Sequence, residues 1–284
     1  MKKSACLLFA VTVATTLVVS SSFGPFSVPG AIAQVATLNL EADLRPKPPG
    51  RGTPTNTTLA GGSHAVLFNR PKPPGRGTPG NAGRGGGSRT CLKLATKSEH
   101  QILNGLNALV PESKQGNTTE VWGYTTEEHP SLWFYIPYTS DSIKDIELTL
   151  LNDRGEPLQV IPVSVPANPG VLQVQLPKDK PGLQPGQFYN WFFKVRGNCA
   201  ENTIAFVEGW ISRTADTTLA SQLDQATPEE KLALLAKNGI WFDALTAAAQ
   251  QSELSQSKAA DTTAWAALLK QTDMGILATQ PIVK

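Results

Sequence analysis

Apolar positions are densest at residues 131–138, SLWFYIPY, where Leu132, Trp133, Phe134, Tyr135, Ile136 and Tyr138 leave no polar stripe. Aromatic and β-branched residues with apolar neighbours on both faces suit a central strand better than a helix. Beyond it the pattern has a period of two. Ile146, Leu148 and Leu150 alternate with Asp145, Glu147 and Thr149, which turns one face inward and one toward water. NDRGE at 152–156 predicts a hairpin turn with Gly155 at positive φ. Residues 158–165 return, and Pro162 and Pro166 place that strand at an edge or a sheet-switching bend. Ala167-Asn168-Pro169-Gly170 makes a second turn before a strand over 171–176. Tyr189, Trp191, Phe193 and Val195 alternate along YNWFFKV and are predicted to face the core. Residues 203–213 supply a partner strand, with Gly209-Trp210 read as a bulge. Short strands separated by turn chemistry predict an all-β sandwich.

Leu183, Pro185, Gly186 and Tyr189 resemble the tyrosine corner of immunoglobulin-like sandwiches, in which the phenol bonds the backbone near the start of a late strand. The period then lengthens. Thr227-Pro228-Glu229-Glu230 is a capping box with proline in the first turn, opening KLALLAKNG, which Asn238 and Gly239 close. A second helix is predicted over 240–251 with Trp241, Leu245 and Ala248 or Ala249 on one face, and a third over 262–271 with Trp265, Leu268 and Leu269. The predicted fold is mainly β with α: an immunoglobulin-like antiparallel β-sandwich over 91–214 and a small C-terminal helical hairpin or bundle over 215–284. A single hairpin cannot form a solenoid. It packs on the sandwich or a sister chain, or offers a groove to a partner segment.

The first ninety residues lack a core pattern. Lys2 and Lys3, an apolar run over 5–19 and Ala31-Ile32-Ala33 read as a signal peptide cleaved between Ala33 and Gln34, leaving no stable membrane span. Residues 34–90 read as a disordered basic arm. RPKPPGRGTP occurs twice, at 45–54 and 70–79, identical over ten positions, and predicts short polyproline rods with nothing to bury. Charge separates along the chain. Residues 45–89 hold eight Lys and Arg and no acid, whereas 90–284 hold fifteen basic and twenty-one acidic side chains. The arm could therefore touch an anionic polysaccharide or fold back on its own acidic body. Export leaves nucleic acid out as a partner.

After cleavage two cysteines remain, Cys91 and Cys199, and an oxidising compartment predicts that they pair. Two cysteines and three scattered histidines do not make a metal set, and no cofactor motif is present. Glu127, Glu128 and His129 are the candidates for hydrolytic acid–base chemistry, but a solvated turn beside the central strand is the reading preferred for them. Trp122, Trp210 and Tyr138 are candidate ligand contacts if their rings stand open, since exposed aromatic faces stack on sugars.

Taken together, the lead-in to Cys91, LNALVP at 106–111, LWFYIPY, LQPGQFYNWFFKV, Cys199, EGWISR at 208–213, NGIWFDAL, Trp265 and the closing Pro281-Ile282-Val283 resemble an exported cyanobacterial family, the domain of unknown function numbered nine-two-eight. That resemblance implies one integrated unit in the periplasm or outside the cell, and it brings no activity, cofactor or substrate. The expected function is that of a non-catalytic envelope module binding another protein. A carbohydrate or envelope-polymer binder is the alternative, and a hydrolase the third.

Overall fold

The computed structural model describes residues 66–75, 91–115, 118–199, 204–254 and 263–284. The predicted signal peptide, its Ala33/Gln34 junction and the first copy of the repeat lie outside them.

Ten strands form two mixed sheets. One carries β1 (Asn107–Ala108), β4 (Ser131–Ile136), β7 (Gly170–Gln175) and β10 (Ile282–Val283), side by side in that order. The other carries, in spatial order, β2 (Glu112–Gln115), β3 (Thr118–Thr125), β9 (Ile204–Arg213), β8 (Phe188–Gly197), β5 (Ile143–Leu151) and β6 (Pro157–Val163). β3 runs parallel to β9 and β10 parallel to β7; the remaining pairs are antiparallel. The sheets meet face to face. Phe134 of β4 stacks on Phe193 of β8 at 3.8 Å between ring centroids and meets Trp191 edge-on at 5.7 Å. Tyr189, Trp191, Phe193 and Val195 are all buried, as their alternation predicts.

Every residue of β4 is buried because both of its faces are covered. Phe134 meets the opposite sheet, while Trp133 turns to the helices, donating from Nε1 to Thr246 Oγ1 at 3.0 Å and lying 5.4 Å from the Trp265 ring. The helices are α1 (Thr217–Gln225), α2 (Pro228–Lys237), α3 (Trp241–Leu254) and α4 (Ala264–Lys270). The Thr227/Glu230 capping box is formed at both of its bonds. Sheets and helices belong to one compact unit.

The NDRGE turn closes as expected, with Gly155 at φ 80° and the Asn152 side-chain oxygen accepting from Arg154 and Glu156 N–H. β6 is an edge strand, consistent with its prolines. The mixed sheets correct the expected antiparallel sandwich, because β3 and β10 each join a neighbour in parallel. Three further differences from the sequence expectations stand out. Gly209 is no bulge, because β9 keeps its register through it; a side chain there would run into the Trp191 ring. α1 was not expected. It starts because Asp216 accepts from Thr218 and Leu219 N–H, but it buries Leu219 alone, too little to print a stripe. The third is the arm. Residues 66–75, expected to belong to a disordered arm, lie against the body, because apolar Val66 and Phe68 precede the repeat and find a place there.

Candidate functional site

The seat of this segment is built from four places in the chain. Trp241, in the first turn of α3, forms the floor. Its Nε1 donates to Leu109 O at 2.7 Å, which fixes the indole, and the Phe68 ring meets it edge-on at 4.8 Å. Gln271 at the end of α4 holds the backbone of the segment with one amide: its Oε1 accepts from Phe68 N–H at 2.9 Å and its Nε2 donates to Val66 O at 2.7 Å. Asn69 N–H donates to Ala236 O at 2.9 Å, extending the same strand-like attachment to the end of α2.

Gly239, at φ 72°, ends α2 and also makes room. A β-carbon on it would lie 2.8 Å from Asn69 O and 2.9 Å from the Pro71 ring. The repeat proper begins with Arg70, whose guanidinium donates to Glu112 O at 3.0 Å and to Gln271 O at 3.5 Å. Gly75 N–H donates to Glu120 Oε2 at 3.2 Å. The site is thus a groove between the helices and the β2–β3 edge, filled by a basic Pro-Gly segment that meets the Glu112 carbonyl and the Glu120 carboxylate.

One buried carboxylate secures the floor. Asp243, two residues beyond Trp241, accepts from Thr125 Oγ1 at 2.5 Å, Thr126 N–H at 2.7 Å and Thr126 Oγ1 at 2.6 Å, tying α3 to the end of β3. Burial pushes this carboxyl up to about 6, against the three hydrogen bonds, which favour its ionised form.

The residues singled out from sequence fall elsewhere. Trp122 is 4% exposed and meets Tyr124 edge-on, and Tyr138 is 2% exposed, with the lead-in strand at Leu94 bridged to it. Neither offers an open ring, which corrects the expected platform; Trp210, paired with Trp122 across β3 and β9, is half-buried. Cys91 and Cys199 are joined, with α-carbons 5.8 Å apart. Glu128 pairs with Arg213 at 2.9 Å, and Arg213 also donates to Thr126 O and Leu183 O. Glu127 N–H donates to Thr125 Oγ1, and the buried His129 Nδ1 has no hydrogen-bond partner among the described residues.

Of the groove, sequence reasoning reached Trp241, Gly239 and Arg70 but gave them other roles. It missed Phe68, Gln271 and Asp243. A signal for Phe68 was present: an apolar VLF precedes the second copy of the repeat, where the first copy has Glu41, Ala42 and Asp43 at the corresponding positions.

Fold and site together define a two-sheet β protein with a helical cover and a groove filled by its own proline-rich segment. Residues 84–282 match the family described as Domain of Unknown Function (DUF928), and the chain belongs to that family. The matched span contains the body's groove residues and begins beyond segment 66–75. No curated protein and no solved structure matches the chain.

Proposed function

We propose that the protein is an exported, non-catalytic binding module of the cell envelope, and that the groove floored by Trp241 is its recognition site for extended, basic, proline-rich segments. The observation that carries this reading is the seated segment 66–75, held through its backbone by Gln271 and Ala236 and through its repeat by Arg70 and Gly75. Backbone attachment accepts many sequences, while the Phe68 position and the arginine select among them, the logic of peptide recognition on extended strands. The excess of acidic side chains over 90–284 favours a basic ligand. A disulfide suits an oxidising, exported setting.

The same proposal takes the two sheets as an immunoglobulin-like sandwich. Its support is the strand order: β1, β4 and β7 follow the A-B-E succession, β9, β8, β5 and β6 follow G-F-C-C′, and the Tyr189 hydroxyl accepts from Gln184 N–H at 2.9 Å at the corner. On this reading β10 occupies the place of strand D.

The groove is tested with a labelled VLFNRPKPPG peptide and the full chain isolated from an exporting host. A Phe68→Ala/Arg70→Ala variant, whose own segment is loosened, is expected to bind the peptide saturably by fluorescence anisotropy. The unaltered chain should bind it about tenfold more weakly or worse, since its tethered segment competes at high effective concentration. A folded variant that ignores the peptide, or takes a scrambled one equally well, removes the reading.

A further inference from the structure

The last described residue of the seated segment is Gly75, whose N–H meets Glu120 on β3. The next strand carries a second carboxylate. Trp122 of β3 and Trp210 of β9 are register partners in the parallel pair, and Glu120 and Glu208 each stand two residues before them, on the same face of the sheet. This is the outer face, because Val207 and Gly209 turn inward, Gly209 against the Trp191 ring. Around Glu208 the pattern is aromatic. Phe192 of β8 is its register partner, Phe206 and Trp210 stand two residues to either side of it on β9, and the Phe192 and Phe206 rings lie 6.4 Å apart. Glu208 is 5% exposed and has no hydrogen bond or ion pair among the described residues, yet its oxygens are not sealed from the surface. Lys194 and Arg196, cations of the same face, are engaged by Glu147 and Asp145. Burial pushes the Glu208 carboxyl up, with no hydrogen bond to oppose it.

We infer that Glu208 is a specificity-determining residue of the recognition site, receiving the guanidinium of an arginine that directly follows Pro-Pro-Gly in the ligand. This rests on the groove reading and extends it by one ligand position. Both copies of the repeat have arginine there, Arg51 and Arg76. Neighbouring strands lie about 4.8 Å apart, so a long side chain on the residue after a glycine seated at Glu120 reaches from β3 to β9. A desolvated carboxylate calls for a cation. The rings beside it favour guanidinium, which stacks on aromatic faces and bonds a carboxylate through two N–H groups, over the more strongly hydrated ammonium.

The test measures labelled VLFNRPKPPGR, VLFNRPKPPGK and VLFNRPKPPGQ by fluorescence anisotropy on the full chain carrying Phe68→Ala, Arg70→Ala and Arg76→Ala, so that its own arginine does not compete. The arginine peptide is expected to bind about tenfold more tightly than the glutamine peptide, the worth of a hydrogen-bonded charge at a desolvated partner, and the lysine peptide to fall short of it. Glu208→Gln, which keeps the shape of the side chain, should erase the arginine preference and leave the affinity for the glutamine peptide as it was. Equal binding of the arginine and glutamine peptides overturns the inference while the groove stands. A preference that survives Glu208→Gln, or a lysine peptide equal to the arginine one, overturns it as general charge attraction. If none of the three binds, groove and inference fall together. Should Glu208→Gln fail to fold, the three peptides on the unaltered β9 decide alone.

Discussion

At the scale of single residues, Asp243 makes the clearest demand on experiment. Its carboxyl is raised from an ordinary 3.8 to about 6, chiefly by burial. A carboxyl with a raised folded pKa contributes stability that is full below the unfolded value and is lost as pH rises through the folded one. Comparing urea unfolding of the native chain with Asp243→Asn between about pH 3 and pH 7, the native advantage should shrink by on the order of 3 kcal/mol with rising pH. A difference that stays flat across that window contradicts the burial. Gly209 offers a second test. Because the Trp191 ring lies where its side chain would be, Gly209→Ala is expected to cost about 1–3 kcal/mol of stability, read as a lower denaturation midpoint with near-ultraviolet circular dichroism altered in the tryptophan region. Neither effect was legible beforehand. Asp243 reads as one more acid near a helix start, and Gly209 as a bulge, because their partners, Thr125 and Trp191, lie on other strands.

At the scale of elements, the two copies of RPKPPG show how flanks decide fate. The copy at 70–75 is preceded by Val66 and Phe68, and the copy at 45–50 has Glu41 and Asp43 at the corresponding positions. A carboxylate in place of Phe68 cannot pack on Trp241 and would face desolvation there. The peptide EADLRPKPPG should therefore bind the opened groove at least about tenfold more weakly than VLFNRPKPPG, and equal affinities would show that the repeat alone is recognised. In the intact chain, Phe68→Ala should speed hydrogen exchange at Phe68 and Asn69, whose N–H groups bond Gln271 and Ala236, while exchange in β8 stays slow. The capping box of α2 was fully readable, since its two bonds join residues three apart. α1 escaped notice for the opposite reason: its cap was present, but its single buried leucine left no period.

At the scale of the whole molecule, three layers are tied at both ends. The Cys91–Cys199 bond spans 108 residues and fastens the lead-in to the β8–β9 connection. By the chain-entropy account a loop of that length is worth about 4–5 kcal/mol. Cys91→Ser/Cys199→Ser is expected to unfold at a clearly lower urea midpoint with the same end states, and an unchanged midpoint would mean that the bond contributes nothing to the fold. The other tie is the short β10, which reaches back to pair with β7 and brings the last residues of the chain onto the sheet that β4 centres.

By itself the sequence determined what is encoded over a few neighbouring residues: the period-two strands, the NDRGE hairpin, the Tyr189 alternation and the α2 cap. It also made β4 a strand covered on both sides, because no solvated face was left in it. Only the tertiary structure decided what does the covering. Phe68 reaches Gln271 across 203 positions, Trp133 reaches Thr246 across 113, and Trp122 and Tyr138 lose their open faces to packing that no local pattern announces. Periodicity states that a face must be buried, and the partner that buries it is set by how distant elements close on one another.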